Sequence, residues 1–191
     1  MAKTVMRATA RNRVRIIGGL WRSRLIAFPA RAELRPTPDR VRETLFNWLG
    51  QDLTGRHCLD LFAGSGALGF EAASRGAQRV VMIERDAQTF AALKDNAARL
   101  QAHAVEVRLA DALEFLRADR GDYDVVLLDP PFGADYLPKV LAMLPPRLAA
   151  DGTVYIEAPR ALELSGEWEV WRSARAGAVV YQLLKWTGHG G

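Results

Sequence analysis

From His57 onward the chain alternates short apolar runs with helical stretches, and nothing else in it restricts the fold as much. The runs cover 57–61, 79–83, 105–109, 125–128 and 153–156, each bounded by turn residues. Among the stretches between them, 87–100 is the clearest helix, with Phe90, Leu93, Ala97 and Leu100 on one face. Apolar strands alternating with helices predict βαβ units and a parallel sheet covered on both faces. After Pro159 the alternation stops. Residues 168–171 and 178–186 read as two further strands that turn near Gly177, an antiparallel addition at the sheet edge.

The first fifty residues follow another pattern. Residues 1–12 are expected to be disordered. Arg13-Val14-Arg15-Ile16 alternates polar and apolar side chains, a second β-like run covers 21–28, and Gly18-Gly19 lies between them. This predicts a hairpin with Arg13, Arg15, Arg22 and Arg24 on its polar face. Residues 29–36 form a linker. Thr37-Pro38 has the form of a helix start, Thr as N-cap and Pro at the first helical position. Val41, Leu45, Trp48 and Leu49 then share a face, and Gly50 ends the helix. The expected division is a basic extension over 1–50 and a body over 51–191.

Charge follows the same boundary. Residues 1–50 hold 11 Lys/Arg against 3 Asp/Glu, and 51–191 hold 15 against 19. No acid precedes Glu33. A basic extension on a near-neutral body suits a polyanion, although a merely solvated tail has the same composition. At 49% hydrophobic and 25% charged, with one cysteine, the chain is no disordered, collagen-like or disulfide-framework protein. His57, His103, His189 and Cys58 show no metal-ligand spacing, so no metal is expected. No apolar run approaches the ~18 residues of a membrane span. The basic N-terminus lacks the apolar core of a secretory signal. A cytoplasmic, membrane-free monomer is the expectation.

Gly64 to Gly69 matches G-x-G-x-x-G directly after the first body strand, where glycines permit a tight turn and close approach of a ligand. A dinucleotide would put its pyrophosphate on this loop. Asp60, just before the glycines, opposes that, since like charges ~4 Å apart cost about 4 kcal/mol at an effective dielectric of 20. S-adenosylmethionine (SAM), with an ammonium and a sulfonium and no phosphate, suits the acid better. Glu84 ends the next strand and could accept both ribose hydroxyls, a feature that NAD and SAM sites share. Asp111-Ala112 ends the third strand. Asp111 could bond the adenine amino group or cap the helix after it.

Asp129-Pro130-Pro131-Phe132 ends the fourth strand. Two prolines remove two N–H donors and hold the turn extended. What remains is acceptor-rich: the Asp129 carboxylate and the Pro130 carbonyl, with the Phe132 ring beside them. Such a corner suits the exocyclic amine of a nucleobase. Two acceptors would turn its lone pair toward a methyl donor and stabilise the charge that develops on nitrogen. Phe132 could stack on the base, which would have to swing out of folded RNA. An ordinary Pro-Pro turn is the plain alternative, and Pro145-Pro146 is read as one.

With these residues in hand, the chain resembles class I SAM-dependent methyltransferases of the amino-group type. Its N-terminal segments Arg15-Ile16-Ile17-Gly18-Gly19, Leu34-Arg35-Pro36-Thr37 and 39–49 narrow the likeness to the RsmD family. These are bacterial 16S rRNA (guanine-N2)-methyltransferases acting on guanine 966. The resemblance extends from about residue 13 to 186 and implies a Rossmann-like fold, SAM as cofactor, and 16S rRNA or the small ribosomal subunit as partner. It implies that Asp60, Gly64 and Gly66 line the SAM site, that Glu84 holds the ribose, and that Asp111 and Ala112 lie near adenine. Phe62, Ser65, Arg85 and Thr37 complete the expected cofactor set. Asp129 to Phe132 would be the catalytic turn, with residues 35–37 over the methionine end of SAM. Arg35 and Arg40 would meet cofactor carboxylate or RNA phosphate. Other targets share the turn chemistry: adenine N6, cytosine N4 or a protein amide. An NAD(P)-dependent oxidoreductase shares the glycine loop but leaves 129–132 without a task. A non-catalytic RNA-binding module would use the basic extension alone.

Overall fold

The computed structural model describes residues 11–31, 34–131, 136–162, 164 and 166–188. Five parallel strands form one side of a seven-stranded sheet: β3 (His57–Asp60), β4 (Arg79–Glu84), β5 (Val105–Leu109), β6 (Tyr123–Leu128) and β7 (Leu148–Ala158). β8 (Trp168–Ala176) and β9 (Val179–Trp186) complete it in the order β5-β4-β3-β6-β7-β9-β8, with β9 antiparallel to both neighbours. The expected antiparallel addition is therefore present. β8 runs five residues past the predicted end at 171, because Arg172 to Ala176 pair with Leu183 to Val179 up to the turn at Gly177.

Alternate strand residues divide the core into two layers. Cys58, Val80, Met82, Val125, Leu127 and Tyr155 point to one face, under α1 (Asp39–Leu49), α2 (Ala67–Ser74) and α3 (Ala87–Leu100). Leu59, Val81, Ile83, Val126, Leu128 and Ile156 point to the other, under α4 (Ala112–Ala118) and α5 (Tyr136–Met143). Burial pushes the Cys58 thiol up to about 12, so it packs as a small apolar side chain.

The extension is an antiparallel hairpin of β1 (Arg11–Arg15) and β2 (Leu25–Pro29), followed by α1. Arg11 and Asn12 belong to β1 and are not disordered; residues 1–10 lie outside the described residues. The second strand starts at Leu25 rather than at 21. Trp21 to Arg24 form part of the connection because α2 captures its middle: the Leu20 N–H donates to the Ser74 carbonyl (2.7 Å) and the Trp21 N–H to Ser74 Oγ (2.9 Å). Arg22 and Arg24 therefore leave the strand face on which they were expected. Val14, Ile16, Trp21, Ile26 and Phe28 join the same buried cluster as α1, α2 and α3. Asn96 on α3 makes both amide bonds to the Ala27 backbone (3.1 and 2.8 Å). Thr37 does not cap α1. Pro38 holds the cap position, and the Thr37 hydroxyl is spent elsewhere.

Candidate functional site

The sheet order changes direction between β3 and β6, and ligands of open α/β sheets bind at the carboxyl edge of such a switch point. Asp60 ends β3 there and is buried. Its Oδ2 accepts from the Gly69 N–H (3.0 Å) and the carboxylate also accepts from the Phe62 backbone, so it holds the glycine loop at both ends. Burial pushes Asp60 up to about 7, the two backbone bonds oppose the rise, and the nearby Glu84 charge adds to it. Gly66 opens α2 at φ 82, and a Cβ there would sit 2.6 Å from Leu93 and 2.8 Å from the Phe70 ring. Only glycine fits. Buried Ser65 turns its hydroxyl to the Ala67 N–H (3.3 Å).

Glu84 ends β4 with Oε2 on the Gly64 N–H (3.0 Å) and Oε1 on the Asp86 N–H (2.8 Å). Each oxygen keeps a further lone pair for a hydroxyl. β5 stops at Leu109, so Asp111 lies past the strand. Its Oδ1 caps α4 through Leu113 (2.9 Å) and Glu114 (3.2 Å), with Ala112 buried behind it. Half-buried Phe62 packs edge-on against Tyr136 (5.4 Å between centroids), whose hydroxyl accepts from exposed Arg85 (3.3 Å). Tyr136 escaped sequence analysis.

Residues 34–38 cross this edge as a strap. Leu34 Cδ2 lies 3.3 Å from where a Cβ on Gly64 would be, and Thr37 at the other end is buried and donates to Glu157 Oε1 (2.9 Å). Arg42 pins the strap, its Nε donating to the Thr37 carbonyl (3.1 Å). Asp129 follows β6 beneath Thr37, and its carboxyl is raised well above the ordinary range by burial, by Glu157 and by Asp60. Pro130 is buried and Pro131 exposed. Phe132 lies outside the described residues.

The expected RNA-facing arginines divide into two sets. Arg13, Arg22, Arg24, Arg35 and Arg40 are exposed and make no ion pair among the described residues. Arg15 is also exposed but pairs with Asp39 (2.9 Å).

The edge gathers the carboxylates of Asp60, Glu84 and Asp129, a donor set that suits a cation bearing vicinal hydroxyls, beside a proline-held acceptor corner. The family described as conserved hypothetical protein 95 matches residues 14–185. The chain is 40% identical over 179 residues to ribosomal RNA small subunit methyltransferase D of Escherichia coli, covering 91% of this chain and 90% of that protein. It belongs to the RsmD family. The Haemophilus influenzae RsmD protein is 38% identical over 191 residues, covering 96% of this chain and 99% of that one. An Escherichia coli relative of solved structure superposes with a TM-score of 0.82 at 40% identity, over 92% of this chain and 98% of that one. Precorrin-6y C5,15-methyltransferase of Geobacter metallireducens, at 20% identity and TM-score 0.66 over 84% and 94% of the two chains, shares the fold. In this RsmD member, sequence analysis missed Glu157 and Tyr155 beside Asp129, and the buried Arg42 and Glu71 behind the strap.

Proposed function

We propose that this methyltransferase modifies the exocyclic N2 amine of a guanine in 16S rRNA, guanine 966, with SAM as donor, during maturation of the small ribosomal subunit. The observation that carries the reading is the Asp129-Pro130 corner beside the Asp60 glycine loop, in a chain 40% identical to a ribosomal RNA small subunit methyltransferase D. The donor set fits SAM: a buried acid at the loop, a strand-end carboxylate with lone pairs to spare, and a strap closing over both. SAM when bound supplies a methyl group on sulfonium, an electrophile that needs no further activation.

The chain's own work is then positioning. Asp60, Gly64, Ser65 and Gly66 shape the loop. Glu84 accepts ribose hydroxyls, and Phe62, Arg85, Asp111, Ala112 and Thr37 bound the rest of the site. The Asp129 carboxylate and the Pro130 carbonyl each accept one hydrogen of the guanine amine, directing its lone pair outward and stabilising positive charge on nitrogen. Phe132 and Pro131 complete the turn, Phe132 as a stacking face for the base. Asp129 takes the surplus proton. The exposed arginines of the extension meet RNA phosphates.

Nucleoside mass spectrometry of 16S rRNA from cells lacking the protein tests this reading. N2-methylguanosine should be absent at one position and restored by the purified enzyme with SAM. Asp129→Ala should lower turnover by at least ~100-fold, with SAM affinity within about threefold of wild type. An unchanged methylation pattern in the deletion strain overturns the assignment.

A further inference from the structure

Strand register brings a second carboxylate to the acceptor corner. Leu128 pairs with Ile156, so the next residue on each parallel strand, Asp129 and Glu157, leave the sheet side by side on one face. Glu157 is 6% exposed, and its Oε1 accepts from two hydroxyls, Tyr155 (2.9 Å) and Thr37 (2.9 Å). The Thr37 hydroxyl also neighbours Asp129, where it favours the ionised carboxyl. Facing the pair are Asp60 from β3, Tyr155 from β7 and Tyr181 from β9, all acids or neutral. Arg42, whose Nε donates to the Thr37 carbonyl, is committed to Glu71 and Asp39.

A hydroxyl owns one hydrogen and cannot donate to two carboxylates at once. With both acids ionised, one of them would face only lone pairs and a like charge. One proton removes the conflict. The acid that holds it donates to Thr37 Oγ1, and the Thr37 hydroxyl donates to the other acid.

We propose that Glu157 is a positioning residue for the reaction: through Thr37 it shares a single proton with Asp129, and so sets how much of Asp129 stands ionised to receive the substrate amine. The inference rests on the role assigned to Asp129 above. With the shared proton on Glu157, Asp129 is a carboxylate, bonded by Thr37 and open to the amine. When the methylated nitrogen loses its proton, the N–H bond breaks, its electron pair stays on nitrogen, and the proton forms an O–H bond on Asp129. The pair then carries two protons and releases one to solvent before the next turnover. Burial raises both acids; the Glu157 charge adds to the rise at Asp129, while the Thr37 and Tyr155 hydroxyls oppose it at Glu157.

Single-turnover methylation of 16S rRNA from cells lacking the protein, with saturating SAM, is to be followed against pH. Glu157→Gln removes the competing anion, so the acid limb should move to lower pH by about one unit. Tyr155→Phe removes a bond that favours ionised Glu157 and should move the limb the same way by less. Melting curves and SAM affinity by calorimetry confirm that each variant is folded and binds. A limb that stays in place while the rate falls at every pH marks a merely structural role and overturns the inference, leaving the methyltransferase reading intact. A wild-type enzyme that methylates no rRNA overturns both. A 13C titration of side-chain carboxyls in the wild-type protein needs no variant: Asp129 and Glu157 should titrate as a coupled pair, and independent titration overturns the proposal.

Discussion

Asp60 illustrates how much one buried charge decides. Burial pushes its carboxyl up to about 7, against 3.8 for a free side chain. Between those values the folded chain holds a proton that the unfolded chain has released, so Asp60 lowers stability as pH rises through that interval. A cation beside it reverses the preference by favouring the carboxylate. SAM is therefore expected to bind about tenfold more weakly at pH 6 than at pH 8, expelling a proton at the lower pH. Calorimetry in two buffers of different ionisation enthalpy measures both effects, and Asp60→Asn should abolish them. NADH, with its anionic pyrophosphate, should show the opposite trend; SAM affinity independent of pH would remove Asp60 from the charge balance of the site. Asp60 and Asp129 were legible because each closes an apolar run next to a glycine or proline motif, and Glu84 because it ends the strand that follows the glycine loop. Glu157 also closes one, Thr153-Val154-Tyr155-Ile156, and no motif adjoins it to draw notice. Arg42 and Glu71 left no local signal. Each looks like a solvent-facing charge on its own helix, and only packing brings together side chains 29 positions apart.

At the scale of elements, Glu71 on α2 joins three segments. Its two oxygens accept from the Ile17 (3.0 Å) and Gly18 (2.7 Å) N–H groups of the hairpin connection, from Arg42 of α1 (3.1 Å) and from Arg75 at the end of α2 (2.9 Å). Glu71 and Arg42 are both wholly buried. Removing one partner of such a group leaves uncompensated charge, a loss of about 3–5 kcal/mol. Glu71→Gln should therefore lower the melting temperature by on the order of 10 °C. Glu106→Gln, which breaks the exposed pairs with Arg79 and Arg108, should cost about 1 kcal/mol or less. Equal shifts in the two variants would mean that the buried cluster carries no special weight. This clamp also explains where sequence analysis misplaced an element. Residues 21–24 have strand-like composition, yet α2 takes the Leu20 and Trp21 N–H groups and the next three close turns within the connection, so tertiary bonds override a local preference. The central strands and α3 were legible because period and turn residues agree there. The helix start at Thr37 was misread because a buried carboxylate 120 positions away competes for the hydroxyl.

Across the whole molecule, the charge asymmetry becomes a fixed surface. The extension shares its buried apolar cluster with α2 and α3, and Asn96, Ser74 and Glu71 fasten its backbone to the body. Its arginines are therefore held in place relative to the carboxyl edge. Five of them, Arg13, Arg22, Arg24, Arg35 and Arg40, are exposed and free of ion pairs among the described residues. If each meets one phosphate, binding releases about five counterions. The logarithm of RNA affinity should then fall against the logarithm of salt concentration with a slope of roughly −3.5 on single-stranded and −4.5 on duplex segments. Filter binding of 16S rRNA between about 50 and 200 mM salt measures the slope. Arg22→Ala and Arg24→Ala together should make it shallower by about 1.4 to 1.8, leaving SAM affinity unchanged. Arg15→Ala should change it less than any of the five, because Arg15 already spends its charge on Asp39. A flat salt response would assign the basic extension to solubility alone and leave RNA recognition to the body.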